Sequence, residues 1–87
     1  MTSAPLPPVL DTTGLRCPLP VLKARKALAK LGPGAVLEVL ASDPAAPEDF
    51  RALCLATGHR LISHRHEGGL HRFLIEVPAR SGRPASE

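Results

Sequence analysis

The groups in this chain able to do covalent or metal chemistry are two thiols, Cys17 and Cys54, and four imidazoles, His59, His64, His66 and His71. Cys17 stands in Arg16-Cys17-Pro18-Leu19-Pro20, directly ahead of a run of helix formers, VLKARKALAKL. Proline is tolerated in the first turn of a helix, where its missing N–H had no partner in any case. Pro18 and Pro20 therefore set Cys17 at or beside the N-cap. A helix N-terminus offers unpaired N–H donors and a positive partial charge, and Arg16 and Lys23 add to that potential. A thiol must be thiolate to attack or to carry a soft atom, so this setting predicts an exposed, activated thiolate or persulfide at Cys17. Gly14 lets the preceding loop take dihedrals closed to other residues. Redox chemistry of the C-x-x-C kind is excluded, because Pro20 occupies the position of the second cysteine.

The other candidates read more simply. Cys54 shares a helix face with Phe50 and Leu53 and is expected in the core, where a free cysteine behaves as a small hydrophobe. His59 follows the helix-ending Gly58 and is expected to cap or pack there; its functional alternative is a hydrogen bond that shapes the Cys17 loop. His64 and His66 share one strand face, and a facing His71 would complete a metal triad. With Glu67 the nearby carboxylate, no cysteine beside them, and Arg65 and Arg72 intervening, the expectation is a solvated hairpin face and no metal. Lys23, Arg25, Lys26 and Lys30 read as a solvated helix face, with Lys23 and Lys26 placed to steer acidic partners toward Cys17.

The elements that position these groups follow from pattern and punctuation. Val9-Leu10 running into Asp11-Thr12-Thr13-Gly14 is a short strand and loop. In the first helix Val21, Ala24, Leu28 and Leu31 recur at helical spacing, and Gly32-Pro33-Gly34 stops it. The apolar run Ala35–Leu40 is a central strand. Asp43-Pro44 and Pro47-Glu48-Asp49 open a second helix whose inner face is Phe50, Leu53, Cys54 and Thr57, ended by Gly58. Arg60–His66 and Leu70–Val77 are strands joined by the short Glu67-Gly68-Gly69 turn, hence a hairpin. The order β-α-β-α-β-β predicts an α+β, two-layer sandwich: two helices on one face of a mixed four-stranded sheet, the other face open to a partner. Residues 1–8 and 78–87 read as loose tails around a folded unit over 9–77.

Composition bounds the function. Eighty-seven residues, 44% hydrophobic and 22% charged, make one small globular domain. Two Phe with no Trp or Tyr argue against a base-stacking nucleic-acid platform. The net charge of +3 admits anionic partners without demanding them. No apolar run approaches the roughly 20 residues of a membrane span. The start lacks a basic, apolar leader pattern and is broken by Pro5, Pro7 and Pro8, so the expected location is cytoplasmic.

Gly14-Leu15-Arg16-Cys17-Pro18-Leu19-Pro20, the Asp43-Pro44 turn and Thr57-Gly58-His59 together resemble the TusA, or SirA-like, family of sulfur carriers from about Leu10 to Val77. The resemblance implies the β-α-β-α-β-β fold and a persulfide carried on the cysteine of the C-P-x-P motif, here Cys17, with Gly14, Arg16, Pro18 and Pro20 supporting it. It also implies a cysteine desulfurase or rhodanese-like sulfur donor and a downstream acceptor protein. Destinations in the family are tRNA thiolation, molybdenum-cofactor assembly and sulfur oxidation. No cofactor, metal or membrane is expected, and a shuttle that must release both partners is expected to be a monomer in isolation. Such a chain is a persulfide carrier of the sulfurtransferase type rather than a full catalyst. The rival readings are a non-catalytic RNA- or protein-binding module using the basic helix, and a thiol regulator that responds to oxidation.

Overall fold

The computed structural model describes residues 6–78. Its elements are β1 (Val9–Thr12), α1 (Leu19–Ala29), β2 (Val36–Ala41), α2 (Ala46–Thr57), β3 (Arg60–Glu67) and β4 (Leu70–Glu76). The expected order and sandwich are present. The expected tails fall mostly outside the described residues; inside them, the Pro8 carbonyl accepts the Glu38 N–H at 2.9 Å.

The strands lie in the order β1-β2-β4-β3. β1 and β2 are parallel, and β4 is antiparallel to both β2 and β3. Parallel neighbours require a crossover, and α1 supplies it. This has a direct consequence for position. α1 follows the C-terminal end of β1 and α2 follows that of β2, so both helix N-termini gather at one end of the sheet.

Period-two alternation on β2 buries Leu37, Val39 and Ala41 toward the helices and leaves Glu38 on the outer face, where it pairs with Arg72. From β4, Phe73 and Ile75 join that core, and α2 adds Ala46, Phe50, Leu53 and Cys54. The rings of Phe50 and Phe73 stack with centroids 4.6 Å apart. From α1 the buried stripe is Pro20, Ala24 and Leu28, with Val21, Ala27 and Leu31 at its margin. The hairpin closes through Gly68 and Gly69, both at positive φ, as a two-residue turn matched to strand twist requires. At its far end α2 stops at Gly58, whose N–H returns to the Cys54 carbonyl at 2.9 Å.

Candidate functional site

Cys17 is exposed and lies one residue ahead of Pro18, the N-cap of α1, with Pro20 buried inside the first turn. The Cys17–Pro18 peptide is cis, and the Leu19 N–H closes the turn onto the Arg16 carbonyl at 2.8 Å. The loop before it is tied down from three sides. Thr12, fully buried, donates its hydroxyl to the Leu40 carbonyl and pins the end of β1 to β2. The Asp11 carboxylate accepts both the N–H and the hydroxyl of Thr13, at 2.9 and 2.7 Å; those bonds hold its pKa below the ordinary aspartate value. Ser42 Oγ accepts the Gly14 N–H at 2.8 Å, with Gly14 at φ +86°, a conformation that favours glycine.

The fourth tie reaches the cysteine itself. Asp43 Oδ2 accepts the Cys17 N–H at 2.7 Å. Asp43 is thus spent on the thiol loop rather than on capping α2, where Ala45 is the N-cap and no side chain bonds the helix end. Asp49, in the first turn of α2, hydrogen-bonds the thiol of Cys17. One donor atom from each of Cys17, Asp43 and Asp49 lies within 4.8 Å of the others.

This neighbourhood corrects the expected electrostatics. The hydrogen bond to Asp49, followed by desolvation and by the negative charge of Asp49 and Asp43, raises the Cys17 pKa above the ordinary thiol value. The α1 N-terminus acts in the opposite direction, but Arg16 and Lys23 are not among the groups that move this thiol. Cys17 rests as a protonated, hydrogen-bonded thiol rather than a preformed thiolate. The sign sets a testable pH dependence. Alkylation by iodoacetamide should rise through a midpoint above that of a free cysteine peptide. Asp49→Asn removes the charge that opposes ionisation, so its midpoint should move down and its rate at pH 7 should increase several-fold, partly offset by lower intrinsic nucleophilicity. An unchanged rate profile would show that the carboxylate does not govern the thiol.

Among the remaining sequence candidates, Gly14, Arg16 and Pro18 are exposed around the loop. Lys23 and Lys26 line a groove of about 560 Å³ on α1 together with Leu19, Leu22, Arg25 and Ala29. Leu19 and Leu22 are 46% and 51% exposed, so this face mixes apolar and cationic groups beside the thiol. Cys54 is buried and its pKa is raised by that burial, as its core assignment requires. His59 does not reach the Cys17 loop. It accompanies Leu31, Pro33 and Val77 at the opposite end of the sheet, its Nδ1 2.6 Å from Thr57 Oγ1, with its pKa lowered by burial. On the histidine hairpin His64 and His66 are exposed as expected, but His71 is not. His71 is buried and its pKa is lowered by desolvation and by His66 and His64. The residues that sequence reasoning did not place at the thiol are Asp43 and Asp49; Asp43 figured as a turn motif and helix-start signal, and Asp49 as a helix-start signal alone.

Residues 9–77 match the family model described as sulfurtransferase TusA. The chain belongs to the TusA sulfurtransferase family. This TusA-family chain is 49% identical over 67 residues, 77% of its length and 90% of the relative's, to a protein of Neisseria meningitidis serogroup A whose name classes it with the sulfur carriers. It is 46% identical over 67 residues, 77% of its length and 88% of the relative's, to the sulfur carrier protein TusA of Allochromatium vinosum. A SirA-like protein of Desulfitobacterium hafniense has the same fold in the crystal, with TM-score 0.72 and 28% identity over 80% of this chain and 96% of that one.

Proposed function

We propose that this protein is a sulfur carrier that holds sulfane sulfur as a persulfide on Cys17. The observation that carries the reading is an exposed thiol held ahead of a helix N-terminus and hydrogen-bonded to Asp49, in a chain whose family relatives are named as sulfur carriers.

The step balances without oxidant or reductant. Cys17 Sγ attacks the terminal sulfur of a donor persulfide, the new Sγ–S bond forms as the donor's S–S bond breaks, and the donor cysteine leaves as thiolate. The proton of Cys17 passes to Asp49 as the sulfur attacks and then to the departing thiolate. Delivery reverses the roles: an acceptor thiolate takes the outer sulfur and Cys17 returns as thiol. Asp43 holds the cysteine backbone, and the prolines keep the loop stiff, so the docked partner meets a positioned sulfur.

The donor is a cysteine desulfurase or rhodanese-like protein, and the acceptor a second protein's thiol on the way to tRNA thiolation, molybdenum-cofactor assembly or sulfur oxidation. A reducing cytoplasm suits two free cysteines, and a monomer leaves the thiol free for each partner in turn. Docking falls to the α1 face, where Leu19 and Leu22 offer apolar contact and Lys23 and Lys26 offer charge. Exchanging both lysines for glutamate should slow sulfur uptake about tenfold at low ionic strength and by less in high salt; salt-independent, wild-type rates would remove α1 from the docking surface.

The test is cyanide treatment of protein loaded with desulfurase and cysteine. A persulfide yields one thiocyanate per chain and regenerates the thiol; an absence of thiocyanate from protein that is fully loaded by mass would refute the persulfide.

A further inference from the structure

The hairpin holds a second cluster that the sulfur chemistry does not use. Register sets His64 opposite Phe73 and His66 opposite His71, so cross-strand pairing brings three imidazoles to one face at the β3 edge of the sheet. The His64 ring lies on Phe73 at 4.6 Å between centroids, and the His66 ring lies on His71 at 4.1 Å. His71 is 6% exposed, whereas His64 and His66 are open to solvent. Arg65 and Arg72 pair with each other on the opposite face, where they line a cavity with Glu67 and Leu70, so they do not come between the imidazoles.

The decisive geometry is between His64 Nε2 and His71 Nδ1, which lie 2.9 Å apart and share a proton. A metal ion can replace that proton. With metal–nitrogen bonds of about 2.0–2.1 Å, two nitrogens at this separation subtend about 90° at the metal. A tetrahedral ion needs its ligands further apart, whereas about 90° is the cis angle of square-planar and tetragonal ions, the preference of Cu(II) and Ni(II) on nitrogen ligands. The two rings meet nearly end on, with centroids 5.1 Å apart, so a bound metal turns each ring until its lone pair points at the ion; Phe73 backs His64 and the strand pairing holds His71 within that reach.

We propose that His64 and His71 form a chelating site for a divalent late transition metal of tetragonal preference, Cu(II) or Ni(II), with the exposed His66 turning in as a third ligand. The site lies on the edge strand, which leaves the remaining coordination positions open to water.

The experiment uses Ni(II) as probe on the untagged full chain carrying Cys17→Ser, which takes the thiol out of the competing Cys17, Asp43 and Asp49 ligand set. Calorimetry should show one Ni(II) per chain. His64→Gln, checked for an unchanged fold by circular dichroism, should weaken binding by about tenfold or more, since even the partners of a ligand typically govern about 10–100-fold in affinity. His71→Gln should do the same, and His59→Gln should change nothing. Ring resonances of His64 and His71 should shift on titration while that of His59 stays. Equal affinity in the Cys17→Ser protein with and without His64→Gln would overturn the proposal, as would Ni(II) binding that disappears on Cys17→Ser alone.

Discussion

Cys17→Ser protein incubated with a cysteine desulfurase and cysteine should take up no sulfur, while Cys54→Ala loads as the unchanged chain does. A serine hydroxyl can donate to Asp49 as the thiol does, so the substitution is expected to leave the site's shape and remove only its nucleophile. Oxygen in that position is neither acidic enough nor soft enough to accept sulfane sulfur. Stability should stay within about 0.5 kcal/mol, as for a surface change away from the core, and loss of loading is then a statement about chemistry. Cys54 cannot substitute: it is 6% exposed and inside the α2 core. Loading that survives in Cys17→Ser would assign the sulfur elsewhere. The same pair of variants separates the carrier from a non-covalent binding module, whose affinity for a partner would survive the exchange of one atom.

Phe73→Ala should be among the most destabilising truncations in the chain. Phe73 is 0% exposed and stacks on Phe50 and on His64, each at 4.6 Å. Truncating a buried phenylalanine costs about 3–5 kcal/mol through lost transfer energy and the cavity left behind. Small domains hold only about 5–10 kcal/mol in total, and the chain's aromatic rings of this kind number two. Urea unfolding should therefore show a midpoint lowered by about a third or more, with an unchanged slope. The loss also reaches the site, because Phe50 is the neighbour in sequence of Asp49 and anchors the first turn of α2. A cost below about 1 kcal/mol would mean that the core closes around the gap and that the stack is not what supports the domain.

Much of the fold was legible because its signals are local. Alternation on Val36–Ala41, the Gly68-Gly69 turn, and the Phe50, Leu53, Cys54 face of α2 each follow from a few neighbouring residues. α1 is offset because its helix begins at Leu19 and carries Pro20 in its first turn; the buried stripe therefore starts at Pro20 and passes through Ala24 and Leu28 rather than starting at Val21. The electrostatics of Cys17 were not legible. Asp43 is 26 positions away and meets the cysteine because β1 and β2 are parallel and their following helices start side by side. The burial of His71 and its approach to His64 were hidden for a similar reason. A register irregularity between Leu61 and Ser63 changes which side chains of β3 face the helices, and it brings His64 and His66 onto the side of Phe73 and His71. A bulge leaves no mark in a sequence pattern of this length.

Peptide-resolved mass spectrometry of the unchanged chain, digested without reductant after loading by a desulfurase, addresses the carrier role at its source. One added sulfur atom should appear on the peptide containing Cys17 and disappear when an acceptor thiol is supplied. Sulfur found on the Cys54 peptide, or added oxygen alone on Cys17, would contradict the account.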